Sequence, residues 1–228
     1  MSNVGCRIYP DFPRPSKELL EKFVGMPAAN VDDCMSRTAA VDPAIKQIGY
    51  RKGQLLGPAF TVKVAEGDNL MFHKAMDMAE PGDVIVIDAG GSTSRAIFGE
   101  LMAFYCKARG IVGLIVDGSI RDQTALADME NFIVYAKGIT PDGPYKNGPG
   151  ELRGTITIGG RTVRAGDIII GDEDGIVIVR PEDAAVVAEN TKALAEKEAN
   201  IAKTILEEGT YIRPWVEQKL QEIGCEIL

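Results

Sequence analysis

The sequence predicts an α/β fold on a largely parallel sheet, and three observations carry that prediction. Between residues 55 and 138, short apolar runs ("GPAFTVKV", "DVIVID", "GIVGLIV", "FIVYAKG") alternate with helical stretches, the pattern of successive βαβ units. The chain has 228 residues, 45% of them apolar, enough for one sizeable core. Neither G-x-G-x-x-G nor G-x-x-x-x-G-K-[ST] occurs, so the nucleotide-binding versions of such a fold lack their phosphate cradles.

Taken in order, "SKELLEKFVGM" reads as a short helix capped by Ser16 and closed by Gly25. "AANVDDCMSR" reads as a second helix entered at Asn30 or Asp32. "GPAFTVKVAEGD" is a strand running into a Gly-Asp turn, and "NLMFHKAMDMAEPGD" is a helix stopped by Pro81-Gly82. "DVIVIDAGG" gives the next strand, then a loop, then a helix from about Gly99 to Arg109 whose apolar face holds Cys106. "GIVGLIVDG" is expected to end as a strand at an Asp117-Gly118 turn, and "FIVYAKG" follows after a helical turn. "GTITIGGRTVRAGD" has the alternation of a hairpin with Gly159-Gly160 at its tip, and "DIIIGDEDGIVIV" adds two strands about an Asp-Gly turn. Pro181 then opens a long helix to about Glu208. The expectation is one domain over 1–228, with a helical arm at 1–27 and a C-terminal helix and tail at 181–228.

Charge narrows the partners. The formal net charge is -8 and no Lys/Arg cluster appears, which disfavours nucleic acid and anionic membrane surfaces. No apolar run approaches the ~20 residues of a membrane span, and residues 1 to 25 lack the pattern of a signal peptide. The four cysteines form no C-x-x-C pair, so they read as reduced thiols of a cytoplasmic protein. The single histidine, His73, reads as a helix-surface or packing residue, and zinc is disfavoured for want of His and Cys ligands. A bound metal would need oxygen ligands, pointing to Mg²⁺ or Mn²⁺.

In open α/β sheets ligands sit beyond the carboxyl ends of the strands. Two such ends stand out, "VIVIDAGGSTSRAIFGE" at 84–100 and "LIVDGSIRD" at 114–122. The first delivers the chain to Gly99, Glu100, Leu101 and Met102 at a helix start, where free N–H groups suit a carboxylate. The second contributes Arg121, a planar fork for a carboxylate or 2-oxo acid, and Asp122, a hard oxygen ligand. The plainer alternative is a solvent-facing Asp-Gly turn beside a first-turn Glu that complements the helix dipole.

"GDNLMFHKAMDMAEPGDVIVIDAGG", "GELMAFYCKARGIVGLIVDGSIRD" and "GDEDGIVIV" together resemble the metal-dependent 4-hydroxy-4-methyl-2-oxoglutarate / 4-carboxy-4-hydroxy-2-oxoadipate aldolases, whose superfamily includes the RraA-like regulators of ribonuclease E. The resemblance covers most of residues 25 to 210. It implies a swivelling β/β/α-type fold, assembled as a homotrimer or homohexamer with sites between subunits. It also implies class II pyruvate aldolase chemistry, with oxaloacetate decarboxylation as a side activity, on a small 2-oxo acid. By motif, Asp122 would ligate Mg²⁺ or Mn²⁺, Arg121 would hold the pyruvyl part, and the N–H groups near Leu101 and Met102 would take its carboxylate. Glu100 stands where many of the aldolases have Asp. The family also draws a carboxylate from a neighbour's C-terminal helix, and on a helical wheel Glu198 falls beside the Val187, Leu194, Ile201 and Ile205 stripe. Glu100 or Glu198 would then steer a water acting as base, and Arg95 is one candidate for a distal carboxylate. A non-catalytic regulator and a dedicated oxaloacetate decarboxylase remain the alternatives on this fold.

Overall fold

Why the chain needs two β layers is visible from its apolar faces in the computed structural model, which describes residues 3–49 and 53–226. The N-terminal arm gives β1 (Cys6–Ile8), α1 (Lys17–Glu21), α2 (Ala28–Cys34) and β2 (Lys46–Gln47). The alternating region follows as β3 (Leu55–Val64), α3 (Leu70–Met78), β4 (Val84–Asp88), β5 (Ala96–Phe98), α4 (Glu100–Ala108), β6 (Gly113–Ile120), α5 (Gln123–Ala127) and β7 (Ile133–Ile139). Then come β8 (Gly150–Leu152), β9 (Ile156–Ile158), β10 (Arg161–Val163), β11 (Ile168–Asp172) and β12 (Gly175–Val179), followed by α6 (Ala184–Glu208) and α7 (Pro214–Glu222).

Strands β3, β4, β6 and β7 lie side by side in parallel, as right-handed crossover connections require. Their side chains alternate between faces. One face sends Phe60, Val62, Ile85, Ile87, Leu114 and Val116 against Phe72 and Met76 of α3, Ala103 and Cys106 of α4, and Leu126 of α5. The other sends Ala59, Val84, Val86, Ile115 and Tyr135 against Ile156, Ile158 and Val163 of the β9–β10 hairpin and against Ile169 and Ile178. The reverse face of β11 and β12 buries Ile168, Ile170, Val177 and Val179 under α2 and the first turns of α6. Helices, sheet, a second β layer and helices again make the expected β/β/α architecture.

Three local expectations need correction. Helix α2 starts at Ala28, ahead of Asn30, because the carboxylate of Asp172, 144 residues away, accepts the Ala28 N–H at 2.8 Å. "RAIFG" holds a short strand, β5, where a loop was expected. The segment Asp117-Gly118 is no turn: β6 runs through it to Ile120, and every residue of the strand is buried. Asp117 tolerates this burial because its Oδ2 accepts the Gly159 N–H at 2.9 Å and its Oδ1 lies 3.5 Å from Lys137 Nζ. Gly118 is required by close approach, since an added Cβ would stand 2.9 Å from Ala89 Cβ.

By its contacts the chain divides into two units, 1–191 and 192–228. In the second, the later turns of α6 precede α7, which "RPWVEQKLQE" enters through Pro214 in the first turn. No helix among the described residues is long and apolar enough to cross a membrane.

Candidate active site

The rim formed by the carboxyl ends of β5 and β6 is assembled from the inside out. β5 is wholly buried and pairs with the far end of β6, Ala96 opposite Ser119 and Phe98 opposite Ile120. The Arg121 N–H continues that ladder by donating to Phe98 O at 3.0 Å. Both strands therefore release the chain at one place: Gly99 leaves β5 to start α4, and Arg121 leaves β6 beside it.

Asp122 follows in the left-handed region, with φ 56° and ψ 40°, an arrangement that costs an ordinary side chain roughly 1 kcal/mol or more. The turn directs its carboxylate back over α4. Asp122 Oδ2 accepts the Glu100 N–H at 3.0 Å and lies 3.6 Å from Arg121 Nε. Gly99, the N-cap of α4, has no side chain with which to cap the helix, so a residue 23 positions later supplies the acceptor. The glycine is required sterically: a Cβ at residue 99 would fall 2.0 Å from Asp122 Oδ2 and 2.9 Å from Arg121 Cγ.

The structure thus brings Gly99, Glu100, Arg121 and Asp122 together, with the N–H groups of Leu101 and Met102 in the same first turn of α4. The Arg121 and Asp122 side chains are 47% and 39% exposed, and Leu101 is 75% exposed, so within one chain this rim is an open face. A cleft of about 900 Å³ lies at the opposite rim, among Gln54, Val112, Asp128 and Ile133 at the starting ends of β3, β6 and β7, away from this chemistry. Glu198 belongs to the second unit, where it is exposed on α6 and lines a small groove with Leu194, Ile201, Ile205 and Tyr211.

Two residues on this rim were not singled out as functional from the sequence. Asn69, just ahead of α3 and 1% exposed, donates through Nδ2 to Ile97 O at 2.8 Å and reaches Met102 Sδ at 3.5 Å, which ties α3 to the start of α4. His73 lies one helical turn further on. Of the two readings expected, helix surface or packing, the side chain is partly buried on α3, and its Nε2 is buried with no hydrogen-bond partner among the described residues. Its place in "HKAM", mid-helix, gave no signal of this. Burial, and next the charge of Lys146, hold its pKa below the ordinary 6.5, so the imidazole is neutral at pH 7. The unfolded chain therefore binds a proton more readily than the folded one. Stability should be undiminished above pH 6.5 and fall as the pH drops toward the lowered value. Urea titrations from pH 7.5 to pH 5 should show this slope in the wild type and its reduction in His73→Gln; an unchanged slope would mean that His73 is not the group responsible.

The site so far defines an α/β protein with an Arg–Asp pair set against a helix N-terminus at the carboxyl rim of its sheet. Comparison with known proteins sharpens that class. The family model described as RraA-like (Aldolase/RraA) matches residues 28–178. A protein of Halalkalibacterium halodurans named "Putative 4-hydroxy-4-methyl-2-oxoglutarate aldolase" is 36% identical over 204 residues, 89% of this chain and 96% of that one. Among solved structures, an uncharacterised protein from Pseudomonas syringae pv. tomato superposes with a TM-score of 0.77 at 22% identity, covering 88% of this chain and 98% of the other. The RNA-processing inhibitor RraA from Thermus thermophilis superposes with a TM-score of 0.62 at 26% identity, over 68% and 92% of the two chains. The chain belongs to the RraA-like family.

Proposed function

We propose that the protein is a divalent-metal-dependent lyase that cleaves 4-hydroxy-4-methyl-2-oxoglutarate or 4-carboxy-4-hydroxy-2-oxoadipate to pyruvate and a second 2-oxo acid, and that it decarboxylates oxaloacetate. One observation carries this reading: Asp122 Oδ2 stands 3.0 Å from the Glu100 N–H and 3.6 Å from Arg121 Nε at the start of α4. A carboxylate, a guanidinium and free helix N–H groups are what a metal-assisted 2-oxo acid site requires. The aldolase name carried by the Halalkalibacterium halodurans relative supports the same chemistry.

The donor set fits magnesium or manganese. Among the described residues no three His, Cys, Asp or Glu side chains form a metal cage. Mg²⁺ is usually held by only one or two carboxylates, with waters and substrate completing its shell. Asp122 would be the direct ligand and Glu100, in the first turn of α4, a contact through water. Bound there, the ion would supply Lewis-acid stabilisation of charge on the substrate's keto oxygen.

The chain's own groups divide the remaining work. The N–H groups of Leu101 and Met102 point out of the helix start and receive the substrate's carboxylate. Arg121 donates to the keto oxygen, which gains negative charge as the C–C bond breaks; such a donor contributes about 3 kcal/mol. The 4-hydroxyl proton needs an acceptor, and Glu100 or Glu198 from a neighbouring subunit is suited to steer a water that takes it. Oxaloacetate loses CO₂ to the same enolate without that base, so decarboxylation is the less demanding reaction. We place the complete site between subunits of a homotrimer or homohexamer, which would cover the open rim at Leu101 and Arg121.

The solved relative titled an RNA-processing inhibitor favours a second reading, a protein-binding regulator without catalysis. One experiment separates the two. A panel of 2-oxo acids assayed with Mg²⁺ and coupled to pyruvate detection should give turnover of oxaloacetate and of at least one 4-hydroxy-2-oxo diacid. No pyruvate from any of them would leave the regulator reading standing.

A further inference from the structure

Arg95 is the second arginine on this rim, and its surroundings set it apart from Arg121. Its Nη1 donates to Asp142 Oδ1 and to Gly143 O, each at 2.9 Å. Its guanidinium lies 4.3 Å over the ring of Tyr145. To reach that loop the side chain crosses Gly67, where φ is +67° and an added Cβ would stand 2.8 Å from Arg95 Cδ. Main-chain bonds fix the same loop. The Ala96 N–H donates to Asp142 O at 2.8 Å, the Tyr145 N–H to Gly67 O at 2.8 Å, and the Thr140 N–H to Ile120 O at 3.0 Å.

The loop held in this way runs past the reactive end of the site. At Gly143 an added Cβ would come within 3.4 Å of Arg121 Nη1, so the loop passes close beside the Arg121 fork and leaves room there for little more than a methyl group. Arg121 is long and 47% exposed, and without a close neighbour it samples many rotamers. A guanidinium that must meet one developing oxygen loses rate when its aim wanders by an ångström.

We infer that Arg95 and Asp142 are a positioning pair that clamps residues 141–145 beside Arg121 and so fixes the direction of its guanidinium. On this inference Arg95 serves Arg121 rather than a distal carboxylate of the substrate, since its Nη1 is taken up by Asp142 Oδ1 and Gly143 O. The inference rests on the proposed role of Arg121 as the substrate's cation. The Arg95 and Asp142 side chains are 29% and 55% exposed, and an ion pair that open adds little to stability. Substitution at either position is thus expected to leave the fold intact and to act on the site.

The test uses Arg95→Met, Arg95→Lys, Asp142→Asn and the Arg95→Met/Asp142→Asn double variant. Each is assayed on 4-hydroxy-4-methyl-2-oxoglutarate and on 4-hydroxy-2-oxopentanoate, which lacks the distal carboxylate. A clamp predicts a fall in kcat/KM of about tenfold, equal for both substrates, no larger in the double variant than in either single one, and absent in an Arg121→Met background. Arg95→Lys keeps the charge but loses the fork, and should behave like Arg95→Met. A loss confined to the dicarboxylate and to the Arg95 variants would assign Arg95 to substrate recognition and overturn the inference.

A readout independent of turnover is the ¹⁵N NMR signal of Arg121 Nε–H, identified by its disappearance in Arg121→Lys. It should shift or broaden in Arg95→Met. If the wild type turns over none of these acids, the catalytic reading fails, and an Arg121 signal unchanged in Arg95→Met would by itself overturn the clamp.

Discussion

Asp122→Asn is expected to abolish turnover of 2-oxo acids, lowering kcat/KM for oxaloacetate by about 10³-fold or more. The change is nearly isosteric and keeps an oxygen able to accept the Glu100 N–H, which Asp122 Oδ2 accepts at 3.0 Å. What disappears is the negative charge, and with it the hard anionic ligand for a divalent cation and the partner of Arg121, whose Nε lies 3.6 Å away. A factor of 10³ corresponds to about 4 kcal/mol, the scale of a lost Lewis acid and far above that of an exposed ion pair. Thermal melting should move little, because the Asp122 side chain is 39% exposed. Steady-state assays on wild type and variant at saturating Mg²⁺ decide it, and a variant that retains a tenth of the activity would remove Asp122 from the chemistry.

Gly99→Ala should have the next largest effect, a drop in kcat/KM of about 10²-fold with the fold retained. The backbone of Gly99, at φ −142° and ψ −160°, is extended and open to any residue, so alanine brings no conformational strain. The methyl group has nowhere to go: it would meet Asp122 Oδ2 at 2.0 Å, Arg121 Cγ at 2.9 Å and Asp122 Cγ at 3.0 Å. Two side chains must swing aside, which costs the partly exposed rim little and costs the aimed site a great deal. Circular dichroism alongside the kinetics separates the two outcomes. Full activity in Gly99→Ala would mean that the proximity of these three residues does not matter for turnover.

The residues behind both predictions could be read from the sequence because their signals are local. A buried apolar strand ending in Arg-Asp, and a Gly-Glu pair opening a helix, each state their own backbone context, and βαβ adjacency brings the two ends to one rim. What escaped reading depends on partners far along the chain. Asp117-Gly118 carries a turn signal, yet the strand continues because the Gly159 N–H donates to one oxygen of the buried carboxylate and the charge of Lys137 lies 3.5 Å from the other. The three residues of β5 are too few for a periodicity, although their pairing with β6 is what sets Gly99 beside Arg121. Helix α2 begins where Asp172 caps it, and Arg95 is committed to Asp142, 47 residues on; neither distance leaves a trace in local composition. The buried Nε2 of His73, without a hydrogen-bond partner among the described residues, is likewise a product of tertiary burial, invisible on a helical wheel.

The central claim is that Asp122 holds a divalent ion next to Arg121, and titration with Mn²⁺ followed by electron paramagnetic resonance tests it most directly. In the presence of oxalate, a mimic of the pyruvate enolate, the wild type should bind one Mn²⁺ per chain with its signal altered by the ligand, and Asp122→Asn should leave the ion free in solution. Equal binding by the two proteins, or none by the wild type, would contradict the account.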